Sequence, residues 1–137
     1  MLDLTHGHDS ALLKSVAVAA TAVVEEGEWI VIEAASGKAV KQTGAYDPLT
    51  QGATYQVYGG NKVRFDSKAL GVVTACLGKG YVGTTDKVEA VTIKKGDFLT
   101  VKDGVLTKAT PGTTADLAIV ASCVKTPVGG VIEFTRL

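Results

Sequence analysis

Lys95-Gly96-Asp97-Phe98-Leu99-Thr100-Val101-Lys102-Asp103-Gly104-Val105-Leu106-Thr107-Lys108-Ala109 places two short apolar and β-branched runs on either side of an Asp-Gly pair. Asp-Gly supplies the two positive-φ residues of a type I′ turn, whose twist matches that of the strands it joins. Residues 97–102 and 105–109 are therefore predicted to form a β-hairpin. Working outward, a second hairpin is predicted from Trp29-Ile30-Val31-Ile32-Glu33 and residues 38–42, joined through 34–37. Apolar strands are predicted at 70–77, 88–93, 117–124 and 131–137, separated by Gly, Pro, Asp and Asn. Helical periodicity is confined to residues 10–24. Turn signals at about ten-residue spacing predict an all-β fold, a small barrel or sandwich.

The two hairpins read as copies. Glu26-Gly27-Glu28-Trp29-Ile30-Val31-Ile32 aligns with Lys95-Gly96-Asp97-Phe98-Leu99-Thr100-Val101, and Ala39-Val40-Lys41-Gln42-Thr43 aligns with Leu106-Thr107-Lys108-Ala109-Thr110. Further along, Val73-Thr74-Ala75-Cys76-Leu77 aligns with Val120-Ala121-Ser122-Cys123-Val124, and residues 88–93 align with 132–137. Two units of this size, neither able to bury its apolar face alone, are expected to close one core about a pseudo-two-fold axis. The expected organisation is an N-terminal arm over residues 1–22 and a single β domain over 23–137. Within that domain, repeat one spans 23–93 with an insertion at 44–68, and repeat two spans 91–137. The insertion carries Tyr46, Tyr55 and Tyr58 and is expected to be a surface excursion with exposed tyrosine contacts.

Composition excludes several function classes. The 137 residues carry 14 basic and 14 acidic side chains, so there is no positive excess to drive counterion release from DNA or RNA. With 46% hydrophobic and 20% charged residues the chain is apolar enough to suggest subunit contacts. Two cysteines are too few for a disulfide scaffold or a Cys-based zinc site. Residues 15–24 (SVAVAATAVV) resemble a signal segment, with Ala17-Val18-Ala19 as a cleavage-site mimic. Asp3 and Asp9 precede the run, and Lys14 is its only base, so cytoplasmic synthesis with free thiols is the expectation.

No motif reads as catalytic, and no cofactor or metal is expected. Gly78-Lys79-Gly80-Tyr81-Val82-Gly83 spells G-x-G-x-x-G, but a dinucleotide site needs a helix next, and here a β-branched run follows. Gly59-Gly60-Asn61-Lys62 lacks the spacing and hydroxyl of a phosphate loop. His6 and His8, the only histidines, sit near the start and read as incidental. Cys76 and Cys123 fall inside apolar strands, where cysteine behaves as a small buried hydrophobe. Glu28 and Asp97 follow matching glycines, which points to turn chemistry rather than acid–base work. Trp29 and Phe98 read as a matched pair of core aromatics.

Residues 95–104, Lys108-Ala109-Thr110, Ala118-Ile119-Val120-Ala121 and Gly129-Gly130-Val131-Ile132-Glu133-Phe134 together resemble a pattern of tailed-phage head decoration (capsid cement) proteins. The resemblance covers the C-terminal third well and residues 26–43 more loosely. It implies a β-barrel or β-tulip-like body, found on the virion capsid surface and made in the host cytoplasm. It also implies a structural, non-enzymatic role: binding the major capsid protein as a homotrimer and stabilising the shell. Nucleic acid and membranes are not expected partners. Within the arm, Leu2, Leu4, Leu12 and Leu13 are the expected capsid contacts, through strand addition to a partner sheet. The alternative is a tail or fibre module that binds a receptor or glycan through Tyr46, Tyr55 and Tyr58.

Overall fold

A computed structural model describes residues 1–59 and 71–137. The chain folds as β1 (Leu2–His6), a single helical turn α1 (His8–Ala11), β2 (Leu13–Ala17), β3 (Trp29–Ile32) and β4 (Ala39–Lys41). There follow α2 (Pro48–Gln51), β5 (Thr54–Tyr58), β6 (Val72–Cys76), β7 (Val82–Thr85), β8 (Phe98–Lys102) and β9 (Val105–Lys108). A 3₁₀ turn at Asp116–Ala118 then leads into β10 (Ala121–Val128) and β11 (Val131–Arg136). The fold is all-β: one antiparallel sheet ordered β1-β7-β11-β10-β8-β9, the other β2-β6-β5-β3-β4. The end strands of the five-stranded sheet approach each other: Val18, directly after β2, makes a parallel bridge to Ala39 of β4, and Ala19 N–H donates to the Ala39 carbonyl at 3.0 Å. Among the described residues neither sheet is closed by paired strands, and the structure shows the all-β class with two antiparallel sheets.

The predicted β8–β9 hairpin forms, with Asp103 at φ 50° and Gly104 at φ 78°, the two positive angles that an Asp-Gly type I′ turn requires. Its tip docks on the other sheet: Trp29 N–H donates to the Gly104 carbonyl at 2.9 Å, and Gly104 N–H donates to Gln42 Oε1 at 3.0 Å. The turn before each hairpin is built alike. Gly27 and Gly96 adopt φ 89° and 90°. Glu28 accepts from Glu25 N–H at 2.7 Å, and Asp97 accepts from Lys94 N–H at 2.9 Å. The same two carboxylates pair with Lys41 at 2.8 Å and Lys108 at 3.5 Å. These acids terminate turns, as their place after a glycine suggested.

The main core lies between the sheets. Leu99, Val101 and Phe134 of one sheet meet Trp29, Val31 and Cys76 of the other. Tyr81 ties the sheets together, edge-on to Phe134 at 6.2 Å between ring centres and donating its hydroxyl to Gln56 Oε1 at 3.1 Å. A smaller cluster uses the other side chains of the five-stranded sheet, Ile30, Val57, Val73 and Ala75, covered by Val18 and Val24. This explains why β3 is buried at three consecutive positions.

Several expectations are corrected. The N-terminal 22 residues are not an arm: β1 completes one sheet beside β7 and β2 completes the other beside β6. The alternation Leu2-x-Leu4 is a short strand pattern whose inward residues fill the core. Residues 10–24 form strand and irregular chain rather than helix beyond Ala11, since their Ala and Val content fits a sheet edge equally well. The 44–68 segment is not wholly an excursion, because β5 within it is the central strand of the five-stranded sheet; residues 60–68 lie outside the described residues, as does most of the Gly59-Gly60-Asn61-Lys62 motif. Residues 88–93 make one bridge, Val88 to Leu106, instead of a strand. The cysteines do not occupy matching places: Gly27 N–H reaches the Val57 carbonyl where Gly96 N–H reaches that of Cys123. Cys123 therefore corresponds to Val57 in β5, and Cys76 lies one strand further on in β6.

Candidate functional site

The sequence-predicted contact residues separate by burial. Leu2 (0% exposed) and Leu4 are core residues, so they are corrected as contacts with any partner. Leu12 (62%) and Leu13 (44%) are exposed where β2 begins at a sheet edge, and remain available. Tyr46 is buried, its hydroxyl donating to the Gly52 carbonyl at 2.7 Å, so it is not the exposed contact expected. Burial also pushes its phenol above the ordinary range, with Arg136 nearby acting in the opposite sense. Tyr55 and Tyr58 are half-buried.

Phe98 is the informative departure. Trp29 is fully buried, yet its counterpart Phe98 stands 55% exposed. Around it the loop 110–119 is flanked by three adjoining clefts. One, of about 570 Å³, lies between Phe98, Ala109, Pro111 and Ile119. A second, of about 310 Å³, lies between the loop's Thr114 and Ala118 and Tyr46 and Pro48 across from them. The third, of about 420 Å³, shares Tyr46, Pro48 and Ile119 and extends to Tyr55, Leu117 and Arg136. Leu117 on the 3₁₀ turn is 71% exposed between the last cleft and solvent. Single exposed apolar residues are ordinary, but Phe98, Leu117 and Ile119 edge connected hollows, which is the form of a contact surface.

The strand period explains how Arg136 comes to this face. Ile132, Phe134 and Arg136 alternate along β11, so all three turn inward. At the sheet end the guanidinium lies 5.3 Å from the centre of the Trp29 ring, and its Nη1 donates to the Val120 and Leu137 backbone oxygens at 2.8 Å each. Burial lowers its pKa from the ordinary arginine range. Sequence reading passed over Arg136, although a lone arginine at the inward parity of an apolar strand was the available signal.

The other chemical motifs resolve as structure. In the glycine-rich 78–83 loop, Gly78 N–H donates to the Ala11 carbonyl at 2.9 Å and Gly80 N–H to that of Arg136 at 2.7 Å. Tyr81 of that loop is core, and β7 follows rather than a helix. His6 and His8 are both exposed, on either side of a left-handed Gly7. Among the described residues no group of three or more His, Cys, Asp or Glu side chains is placed to hold a metal ion. Cys76 and Cys123 are buried free thiols. Burial pushes the Cys76 thiol up to about 12 and raises that of Cys123, whose Sγ donates to the Lys125 carbonyl at 2.9 Å. No described helix is long and apolar enough to cross a membrane. The chain matches no protein-family model, no curated protein and no solved structure.

Proposed function

We propose that this chain is a structural virion protein that binds the outside of an assembled tailed-phage capsid and stabilises it. The observation that carries the reading is the face around loop 110–119, where Phe98 and Leu117 stand exposed beside adjoining clefts. Side chains of this kind gain most when a partner removes them from water, at about 25 cal/mol per Å² of apolar area. The resemblance of residues 95–104 and 129–134 to decoration proteins gives the class of partner, the major capsid protein.

Two finer features belong to the same reading. The matching turns, carboxylates and ion pairs at Gly27–Lys41 and Gly96–Lys108 support an origin by duplication of a four-strand unit. In this register β3-β4-β5-β6 corresponds to β8-β9-β10-β11. A symmetric homotrimer would multiply a modest contact, since one docked subunit raises the effective concentration of the others. Leu12 and Leu13 at the β2 edge offer a second contact, because an edge strand presents unpaired backbone groups to a partner.

The test is to strip the protein from purified heads, add it back, and follow DNA release on heating. Binding to the intact shell must raise the release temperature by mass action. Equal release temperatures at full occupancy would refute a stabilising role. The second reading, a tail or fibre module for a receptor or glycan, is favoured by half-buried Tyr55 lining the Arg136 cleft; a glycan array tests it.

A further inference from the structure

The cleft over Arg136 combines apolar walls with two cations. Tyr46, Leu77, Leu117 and Ile119 form its sides, Arg136 lies in its lining and Lys79 is exposed at its rim. Among the described residues no Asp or Glu side chain lines it, and Arg136 forms no salt bridge with one. Elsewhere Lys41, Lys87, Lys102, Lys108 and Lys125 each have a carboxylate within 3.5 Å. The other described cations without a salt bridge, Lys14, Lys38, Lys79, Lys94 and Lys95, are exposed, whereas Arg136 is partly buried.

The geometry of the guanidinium sharpens the contrast. The Trp29 ring and two backbone oxygens hold Arg136 in place, with both hydrogen bonds made through Nη1. Nε and Nη2 have no hydrogen-bond partner among the described residues. An arginine fixed in this way presents a planar donor pair at no further rotamer cost, the arrangement that grips a carboxylate bidentately.

We propose that this cleft binds the carboxylate of a peptide segment on a protein partner, with an apolar neighbouring residue seated against Leu77, Leu117 and Ile119. The carboxylate accepts from Arg136, and Lys79 adds charge attraction at the mouth. About 420 Å³ accommodates one or two side chains, which suits a short acidic-apolar segment rather than an extended strand. Apolar walls favour such a segment over an acidic sugar, whose hydroxyls would lose their water against leucine and isoleucine. This deepens the surface-binding reading and rests on it for the partner being a protein. Its assay needs no capsid, so the two can fail separately.

Trp29 is the only tryptophan in the chain and lies under the guanidinium, so its fluorescence reports the site. The full-length protein is titrated with acetyl-Glu-Leu-amide, its isostere acetyl-Gln-Leu-amide, and N-acetylneuraminate. The expected result is a saturable emission change with the acidic peptide alone, weakened at high salt. Arg136→Lys should lower affinity about tenfold, because the bidentate fork is lost. Arg136→Gln should abolish binding. Lys79→Glu, a rim change that spares the core, should weaken it at least about threefold through Coulomb repulsion. The proposal is overturned by equal responses to the Glu and Gln peptides, by response to the sugar alone, or by unchanged affinity in a folded Lys79→Glu protein.

Discussion

Replacing Leu2 by alanine should destabilise the protein severely, although Leu2 stands at the second position of the sequence. Its side chain is fully buried in the main core. The surroundings leave little scope for collapse. An added Cβ at Gly83 would lie 3.0 Å from Leu2 Cδ1, so Leu2 already covers a position with no side chain of its own. Phe134 on the other side is held edge-on by Tyr81. A Leu→Ala cavity that cannot refill costs about 3 kcal/mol, within the roughly 2–5 kcal/mol seen for buried leucines. With a urea m-value of about 2 kcal/mol/M, the unfolding midpoint should fall by roughly 1.5 M. The melting temperature should drop by roughly 10 °C. Leu12→Ala is the internal control: at 62% exposure it should stay within about 0.5 kcal/mol of the parent. A Leu2→Ala protein with an unchanged urea midpoint would refute the assignment of β1 to the core.

The remaining predictions follow from the thiols, the carboxylates and the glycine loop. Cys76 and Cys123 should resist a bulky thiol reagent at neutral pH in the native state and react promptly in denaturant; rapid native labelling of both would contradict their burial. Glu25 is held below the ordinary carboxylate range by Lys87, Glu89 by the Thr107 hydroxyl, and Asp97 by the Lys94 backbone N–H. Because these folded values lie below the unfolded ones, their contribution is present above about pH 4 and is lost as pH falls through the folded values. Urea midpoints should therefore be flat near neutrality and decline in acid, and a midpoint that rises on acidification would contradict the pairing. Gly78→Ala should be poorly tolerated, because its Cβ would overlap the Ser10 carbonyl oxygen, a backbone atom. Neither NAD nor ATP should shift the melting temperature, since Gly78 and Gly80 already donate their N–H groups within the chain.

Local chemistry was legible in the sequence where it acts over a few residues. Asp103-Gly104 announced its turn, and the Gly-acid pairs at Gly27-Glu28 and Gly96-Asp97 announced theirs. Pairing between distant strands was not. Two plausible frames align Cys123, one with Cys76 and one with Val57, and only the hydrogen bonds from Gly27 and Gly96 choose between them. The N-terminal strands were missed because the β1 signal is only two leucines long. In β2, Leu13-Lys14-Ser15-Val16-Ala17 has no buried face to impose an alternation. Phe98 and Trp29 share a position in their hairpins but not a burial, since the tip of the second hairpin docks at Trp29 and, among the described residues, nothing equivalent covers Phe98. Arg136 was hidden by its neighbours: its inward parity can be counted from Phe134, but the Trp29 ring that receives it comes from the opposite sheet.

The central claim is attachment to the assembled shell through the face around loop 110–119. Its most direct test is co-sedimentation of the purified protein with stripped, expanded phage heads, comparing the parent with a Phe98→Asp, Leu117→Asp double variant whose melting temperature is unchanged. The account predicts saturable binding of the parent at a fixed number of copies per head and loss of binding in the variant. Parent protein that stays in the supernatant would contradict the capsid role, and a variant that pellets as well as the parent would contradict the face.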